Sequence, residues 1–228
     1  MRKIQRLAAV GAMAALTIAL GACSSSAEPA AAPTSAPISE PGPPSSESTT
    51  AATKGVTTIS DITGPACSQV PTAGEGSAQG MVDDPVATAA SNNPLLSTLV
   101  AAVKAANLVD TLNGGEAWTV FAPVNSAFEA LPPGTVTKLT TAPDVAQPSS
   151  QLSMILTTHV VGTRYDAAGL REAGTVTSVQ GSELTIGGTA PGALTVSSGG
   201  VTANVVCANV PTANATVFLI DKVLQPAS

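Results

Sequence analysis

Residues 119–128 have the sequence TVFAPVNSAF, and this segment decides how the chain around it folds. Thr119, Val120 and Phe121 are β-branched or aromatic, which predicts a short strand. Pro123 has no N–H to donate to a neighbouring strand, so we expect the strand to end there. The segment therefore begins with a strand that stops at a tight turn.

A short helix is predicted directly after that turn. Asn125 is suited to cap it, because an Asn side-chain oxygen accepts a hydrogen bond from a free N–H in the first helical turn. Apolar residues follow at helical spacing, Phe128 among them, and Pro132 with Pro133 ends the helix. Phe121 and Phe128 are two of the three Phe in the chain, so the segment holds much of the aromatic volume available for a core.

Further helices are predicted on both sides of this segment. One begins at Asp83 and Asp84, because carboxylates stabilise a helix N-terminus, and runs through residue 90. The next begins at Pro94, a favoured first-turn residue, and ends at residues 113–115, Asn-Gly-Gly. A third covers residues 150–156. The apolar positions of the second helix repeat at helical spacing, at Leu95, Leu96, Leu99, Val103, Ala106 and Val109.

From Gly174 onwards the sequence is typical of strands. Five segments are rich in Val, Thr and Ile, and they are separated by glycine-containing turns and, before the last one, by Asn209–Asn214. Short strands joined in this way favour antiparallel pairing. The five segments are residues 175–179, 183–186, 193–196, 201–206 and 216–220. With the helices before them, they predict a mixed α+β domain.

Three motifs resemble those of the fasciclin-like (FAS1) family. TVFAPVNSAF is similar to its first signature, with Val124 where Thr is usual. Residues 155–163, ILTTHVVGT, are similar to its histidine motif, with Thr158 where Tyr is usual. Residues 214–226, NATVFLIDKVLQP, are similar to its second signature, with Ala215 where Gly is frequent. The positions that match the family motifs include Thr119, Phe121, Pro123, Asn125, Phe128, His159, Asn214 and Asp221.

The resemblance implies one fasciclin-like domain over residues 81–228. Its expected fold is α+β, a twisted β-sandwich wedge with helices packed along one side, and its expected function is adhesion or host interaction at a cell surface, with no cofactor. A metal site is not expected either, because two thiols and a single His are a poor ligand set. Residues 84–99, DPVATAASNNPLLSTL, together with the N-terminal leader, resemble the surface-lipoprotein and secreted fasciclin antigens of mycobacteria and related actinobacteria.

The N-terminus has the features of a lipoprotein signal peptide. Arg2, Lys3 and Arg6 precede an apolar run that is too short for a typical transmembrane helix. The run ends in Leu-Gly-Ala-Cys, which resembles a bacterial lipobox. We therefore predict that residues 1–22 are removed and that Cys23 is acylated, anchoring the chain to the outer side of the cell membrane, with release by shedding or secretion also open. The alternative is an ordinary secretory signal followed by a chance Cys.

Residues 23–80 are predicted to be a tether and an N-terminal extension. Ala, Pro, Ser and Thr dominate up to about residue 58, so the segment has too little apolar surface to fold and favours an extended polyproline conformation. At about 3.1 Å per residue it reaches on the order of 100 Å. Its Thr and Ser are candidates for glycosylation, and the sequence leaves this open.

The net charge of the chain argues against one class of binding partner. The net charge is −6, and the loss of residues 1–22 leaves six basic against 15 acidic residues, near −9. Nucleic acid is excluded as a partner, because phosphate binding needs clustered Lys and Arg.

The cysteine count predicts a disulfide. With Cys23 assigned to lipid, Cys67 and Cys207 remain, and an exported chain with two such cysteines most simply forms one disulfide.

Two residues allow both a functional and a structural interpretation. His159 is the single histidine, so it is either a titrating catalytic group or, as we favour, a partly buried imidazole hydrogen-bonded between a helix and a strand. Asp221 stands where fasciclin-like domains offer an acidic contact to cell-surface receptors, but it can also hydrogen-bond a turn. Asn125, Asn214 and Asp221 are expected to form a polar rim near strand ends, where partners bind.

Two classes of function remain. We favour a lipid-anchored adhesion or interaction module, a monomeric domain that presents its surface to an extracellular or host protein or glycan. The alternative is an envelope carrier that holds a small apolar or lipid ligand in a cleft between helices and sheet. An enzyme has little support, because no paired acid–base or nucleophile motif is recognisable.

Overall fold

The computed structural model describes residues 55–188 and 193–227. The predicted signal peptide, Cys23, the tether up to residue 54 and the turn at residues 191–192 lie outside this part. The described chain forms eight α-helices: α1 (Ala78–Met81), α2 (Val86–Asn92), α3 (Ser97–Ala105), α4 (Val109–Gly114), α5 (Asn125–Glu129), α6 (Thr135–Thr140), α7 (Gln151–Thr158) and α8 (Ala167–Ala173). None of them is long and apolar enough to cross a membrane.

Seven strands form one continuous sheet in the order β2-β1-β7-β6-β5-β4-β3. They are β1 (Trp118–Pro123), β2 (Val160–Val161), β3 (Thr175–Thr177), β4 (Glu183–Gly187), β5 (Thr195–Ser198), β6 (Val201–Pro211) and β7 (Ala215–Ile220). Strands β3 to β7 pair antiparallel, as predicted. β1 pairs parallel with β7, from Trp118 opposite Ala215 to Pro123 opposite Ile220. The first and second signatures are therefore neighbouring strands.

β6 is shared by the two halves of the β-sandwich. Its first half pairs with β5 and its second half with β7, with register shifts on either side of Cys207. The predicted strand end at residue 206 was wrong. β6 runs on to Pro211 because Asn209 adopts a left-handed φ of 62°, which Asn tolerates, and the irregular register absorbs the bend.

The two edges of the sheet, at β2 and just after β3, come together and enclose an apolar core. Val161 of β2 forms a bridge with Ser178 just after β3, and the Val179 N–H donates to the Val160 carbonyl at 2.7 Å. Between the two halves of the sandwich, the rings of Phe121 and Phe218 lie 5.6 Å apart and are fully buried. This is the α+β sandwich expected from the motifs.

The helices α2 to α4 cover the other face of β1 and β7. Leu99 and Val103 of α3 belong to one buried cluster with Val120 and Leu219 of the strands. The single helix predicted from Pro94 to residue 113 was wrong. A 3-10 turn at Pro94–Leu96 leads into α3, and Asn107, with a φ of 55°, separates α3 from α4.

Three helices, α1, α6 and α8, and one packed segment were not predicted. α8 begins after Asp166, whose side chain accepts from the Gly169 N–H at 2.7 Å, and α6 begins after Gly134. The N-terminal segment also packs against the domain, since Thr63 forms a bridge with Ala208. The packed part of the chain thus extends N-terminal to the predicted boundary at residue 81.

Candidate functional site

Asp221 lies directly after β7 and is half-buried. Its two carboxylate oxygens accept from Asn204 of β6, one from the backbone N–H and one from the side-chain Nδ2, each at 2.7 Å. The Asp221 N–H donates back to the Asn204 carbonyl at 3.1 Å. Because a carboxylate oxygen has two acceptor positions, each still has one left for water or a partner. The carboxylate is thus held in a fixed orientation at the end of a strand.

Asn214 is not part of a polar rim, and that expectation was wrong. Its side chain is 9% exposed and its polar atoms are used inside the protein. Oδ1 accepts from the Val86 N–H at 2.9 Å, and Nδ2 donates to the carbonyls of Leu112 and Gly115 at 2.9 and 2.8 Å. Asn214 therefore joins the start of α2 and the end of α4 to β7.

Asn125 does not cap its own helix. It is the first residue of α5, and the capping position is held by Val124 without a side-chain hydrogen bond. The Asn125 side chain reaches α3 instead, where Oδ1 accepts from the Thr98 N–H at 3.0 Å and Nδ2 donates to the Pro94 carbonyl at 2.9 Å. It satisfies a free N–H in the first turn of α3, so the capping chemistry is correct but the helix is a different one.

His159 is buried between α7 and the C-terminal segment. Nδ1 lies 2.8 Å from the Ile155 carbonyl, and Nε2 accepts from the Leu224 N–H at 3.0 Å, so Nδ1 carries the proton. Burial lowers the pKa of the imidazole to about 4, against an ordinary value of 6.5. A neutral ring with both nitrogens engaged has no free site for proton transfer. Among the described residues, no group of three His, Cys, Asp or Glu is placed to hold a metal.

Cys67 and Cys207 form the disulfide that the cysteine count predicted. It joins a 3-10 turn in the N-terminal segment, Cys67–Gln69, to the buried middle of β6, across a separation of 140 residues. The Ala66 N–H donates to the Val206 carbonyl beside it. The disulfide thus holds the end of the segment that would lead to the tether.

The remaining motif positions are structural. The Thr119 hydroxyl donates to the Thr163 carbonyl at 2.7 Å and accepts from the Tyr165 N–H at 2.8 Å. Phe121 lies in the sandwich core, Pro123 ends β1, and Phe128 packs, half-buried, against a small cluster around Ile155.

Arg164 was missed by sequence reasoning. It is half-buried, and its guanidinium donates to the carbonyls of Thr212 and Ala215 at 2.9 and 2.7 Å and to the Thr216 hydroxyl at 3.1 Å. Burial lowers its pKa. Thr216 in turn donates to the Gly55 carbonyl at 2.6 Å. Because these partners are backbone carbonyls and hydroxyls, no charge pairing in the sequence could have indicated them.

Two cavities lie beneath the helices. The first, which we call the helix–sheet seam, has a volume of about 70 Å³ and runs between α2 to α4 and the outer face of β1 and β7. The second, which we call the α6 chamber, has a volume of about 170 Å³ and lies between α5, α6, α7 and residues 223–225. Leu156 and His159 line both cavities, so the two are neighbours.

Comparison with known proteins agrees with this architecture. The fasciclin domain model matches residues 94–226. The chain belongs to the fasciclin family. It is 45% identical over 229 residues to the cell surface glycolipoprotein MPT83 of Mycobacterium tuberculosis, covering 96% of this chain and 95% of that protein. It is also 46% identical over 174 residues to the immunogenic protein MPB70 of Mycobacterium bovis, covering 73% and 83% respectively.

A solved structure of a FAS1 domain pair from the insect cell adhesion molecule fasciclin I is also similar. The match has a TM-score of 0.47 and 23% identity, over 57% of this chain and 45% of that one.

Proposed function

We propose that this protein is a lipid-anchored surface module whose fasciclin domain binds an extracellular or host partner, a protein or a glycan, without enzymatic activity. One observation carries the proposal. The similarity to MPT83 covers 96% of the chain, so it extends well beyond the domain into the leader and tether region, and that relative is named a cell surface glycolipoprotein. The region that we predict to carry the anchor and the tether thus lies within the similarity, together with the domain.

The order of features along the chain supports presentation at a distance. Acylation at Cys23 holds the chain to the membrane, and the Pro-rich tether extends from it. The Cys67–Cys207 disulfide links the N-terminal segment of the domain to β6. A pulling force on the tether therefore acts on a covalent link to the sheet before it reaches α1. A monomeric domain of this kind needs no cofactor to act.

Asp221 is our candidate contact residue. Its carboxylate is fixed by Asn204, so little side-chain entropy is lost when a partner donor binds to the free acceptor positions. It lies at the end of β7 and is half-buried, while the neighbouring Lys222 is exposed. Asn214 is buried, and the Asn125 Oδ1 already accepts from the Thr98 N–H and the Ser97 hydroxyl. Of the three predicted rim residues, we therefore favour Asp221, whose oxygens keep free acceptor positions.

The test compares three variants in a bead-adhesion assay on host-cell layers and immobilised glycans. Asp221→Asn removes the charge but keeps an acceptor for the Asn204 N–H, Asp221→Ala removes both, and Glu172→Gln removes one exposed charge on α8 as a matched control. We expect both Asp221 variants to lose adhesion, with the Asn variant keeping its melting temperature. Full adhesion by the Asn variant would move the contact elsewhere, and loss of adhesion by Glu172→Gln would point to a general charge effect.

A second function is favoured by the two cavities. An envelope carrier of a small apolar or lipid ligand needs an apolar space below the surface, and the seam and the α6 chamber both provide one. Mass spectrometry of the native protein checks this: a co-purifying lipid supports a carrier, and a protein free of ligand when isolated from its own envelope contradicts it.

A further inference from the structure

The α6 chamber is walled mainly by apolar side chains. Three helices and the C-terminal segment contribute to it, with α6 forming one wall. Its apolar lining comprises Ala102, Pro123, Phe128, Leu131, Val136, Leu139, Leu152, Ile155, Leu156 and Val223. Of these, Phe128, Leu131, Val136 and Leu139 are only half-buried. The side chains around this space therefore leave apolar surface that nothing in the described chain covers.

The α6 chamber is poorly suited to hold ordered water. A water molecule takes up about 30 Å³ in the liquid, so about 170 Å³ gives room for roughly six. Each would need two to four polar partners. His159 offers none, because both of its ring nitrogens are engaged with Ile155 and Leu224. The other polar lining residues are fewer than the ten apolar ones, and they are Thr135, Lys138, Thr140, Gln151 and Gln225. The chamber thus suits an alkyl chain better than a column of water.

The charged residues that line the chamber indicate which kind of polar head group a ligand there would carry. Lys138 of α6 lines the chamber and is exposed, so a cationic residue borders the chamber where it meets solvent. No Asp or Glu is found among the described residues that line the chamber. The helix–sheet seam, in contrast, is lined by no Lys, Arg, Asp or Glu of the described chain. A ligand with an apolar tail and an anionic head therefore fits the chamber and not the seam.

We propose that the α6 chamber binds a single-chain fatty acid, with its alkyl chain among the apolar side chains and its carboxylate at Lys138. This inference rests on the second of the two proposed functions. It names the site and the ligand class, and it is independent of adhesion through Asp221.

The experiment titrates octanoate, decanoate and dodecanoate into the full chain carrying Cys23→Ser, with binding followed by calorimetry. We expect one site and an affinity that rises by roughly fourfold for each added methylene until the chamber is filled. Dodecanol serves as the uncharged comparison. Lys138→Gln should weaken dodecanoate roughly two- to fivefold and leave dodecanol unchanged, because an exposed charge contributes modestly. Lys104→Gln on α3, also exposed, is the matched control and should have no effect.

Two valines distinguish the chamber from the seam. Val136 lines the chamber and Val100 lines the seam, and both are half-buried helix residues. Val136→Trp should fill the chamber and reduce dodecanoate affinity more than tenfold, whereas Val100→Trp should leave it unchanged. Should Val136→Trp fail to fold, a photoreactive fatty acid on the unmutated valines gives the same information. We expect cross-links within residues 135–140 and 151–155, which line the chamber alone, rather than within residues 108–112, which line the seam alone.

Three results would overturn the proposal in different ways. Loss of binding in Val100→Trp, or cross-links within residues 108–112, would place the ligand in the seam and leave the carrier function intact. Equal affinity of Lys138→Gln and the unsubstituted chain for dodecanoate would remove the anionic head group from the proposal. An absence of saturable dodecanoate binding, with no lipid co-purifying with the native protein, would overturn both the site and the carrier function.

Discussion

Replacing His159 by Gln should change how the stability of the domain depends on pH. At pH 7.5 the imidazole is neutral in both the folded and the unfolded chain. Gln keeps an acceptor for the Leu224 N–H but loses the donor to the Ile155 carbonyl. A buried carbonyl left without its donor costs about 1–3 kcal/mol, so we expect the variant to be about 2 kcal/mol less stable at this pH.

Acidification should reverse that difference. The unfolded chain takes up a proton on His159 below pH 6.5, but the folded chain does so only below about pH 4. The unfolded state therefore binds more protons between these values, and stability falls as the pH falls. The separation of the two pKa values corresponds to about 3 kcal/mol, lost by the wild type and not by the variant. At pH 4 the variant should be as stable as the wild type or more stable.

Urea unfolding at pH 7.5, 6, 5 and 4, followed by the fluorescence of the single Trp, measures this. The carboxylates titrate in both proteins, so their contribution cancels in the difference. Since His159 is the chain's single histidine, no other imidazole contributes. A stability difference that stays constant from pH 7.5 to pH 4 would refute the reasoning, because it would mean that the folded imidazole titrates as it does in the unfolded chain.

Three further predictions concern Asn214, the disulfide and Cys23. Asn214→Ala should lower the free energy of unfolding by about 2–4 kcal/mol, because the Val86 N–H and the carbonyls of Leu112 and Gly115 lose their partner; a loss below about 0.5 kcal/mol in urea would contradict this network. Reduction of Cys67–Cys207 should lower the melting temperature by several degrees, since the chain-entropy estimate for a loop of 140 residues is about 5 kcal/mol at most. Two alkylations should appear by mass only after reduction, and free thiols in the native protein would count against the bridge. Metabolic labelling with a fatty acid should mark the wild type and not Cys23→Ala, and equal labelling of both would rule out acylation at that residue.

The local structure of the signature segment could be predicted because its causes are local. The β-branched run, Pro123 and the helix after it act within a few residues of one another, and β1 and α5 lie where they were expected. The parallel pairing of β1 with β7 is not a local property. It depends on chain folding between Pro123 and Ala215, which neither segment determines by itself.

The roles of the two motif asparagines illustrate why the site was harder to predict. Asn125 and Asn214 look alike in sequence, as polar residues at the ends of apolar strands. Asn214 is buried because α2 and α4 cover it, and Asn125 reaches α3 because α3 packs beside α5. Neither neighbour can be inferred from the segments themselves. The break at Asn107 was missed for a related reason, since a single left-handed Asn within an apolar run gives no stronger signal than an ordinary helical position.

Adhesion of intact cells to a host-cell layer tests the central claim most directly, because it requires both anchoring and binding. Cells producing the wild-type chain are compared with cells producing Cys23→Ala, with equal amounts of folded domain confirmed in each culture. We predict that wild-type cells adhere, that Cys23→Ala cells release the domain and do not adhere, and that the released domain added in excess blocks the wild-type cells. Equal adhesion by both cell types, or adhesion that the released domain does not block, would contradict the account.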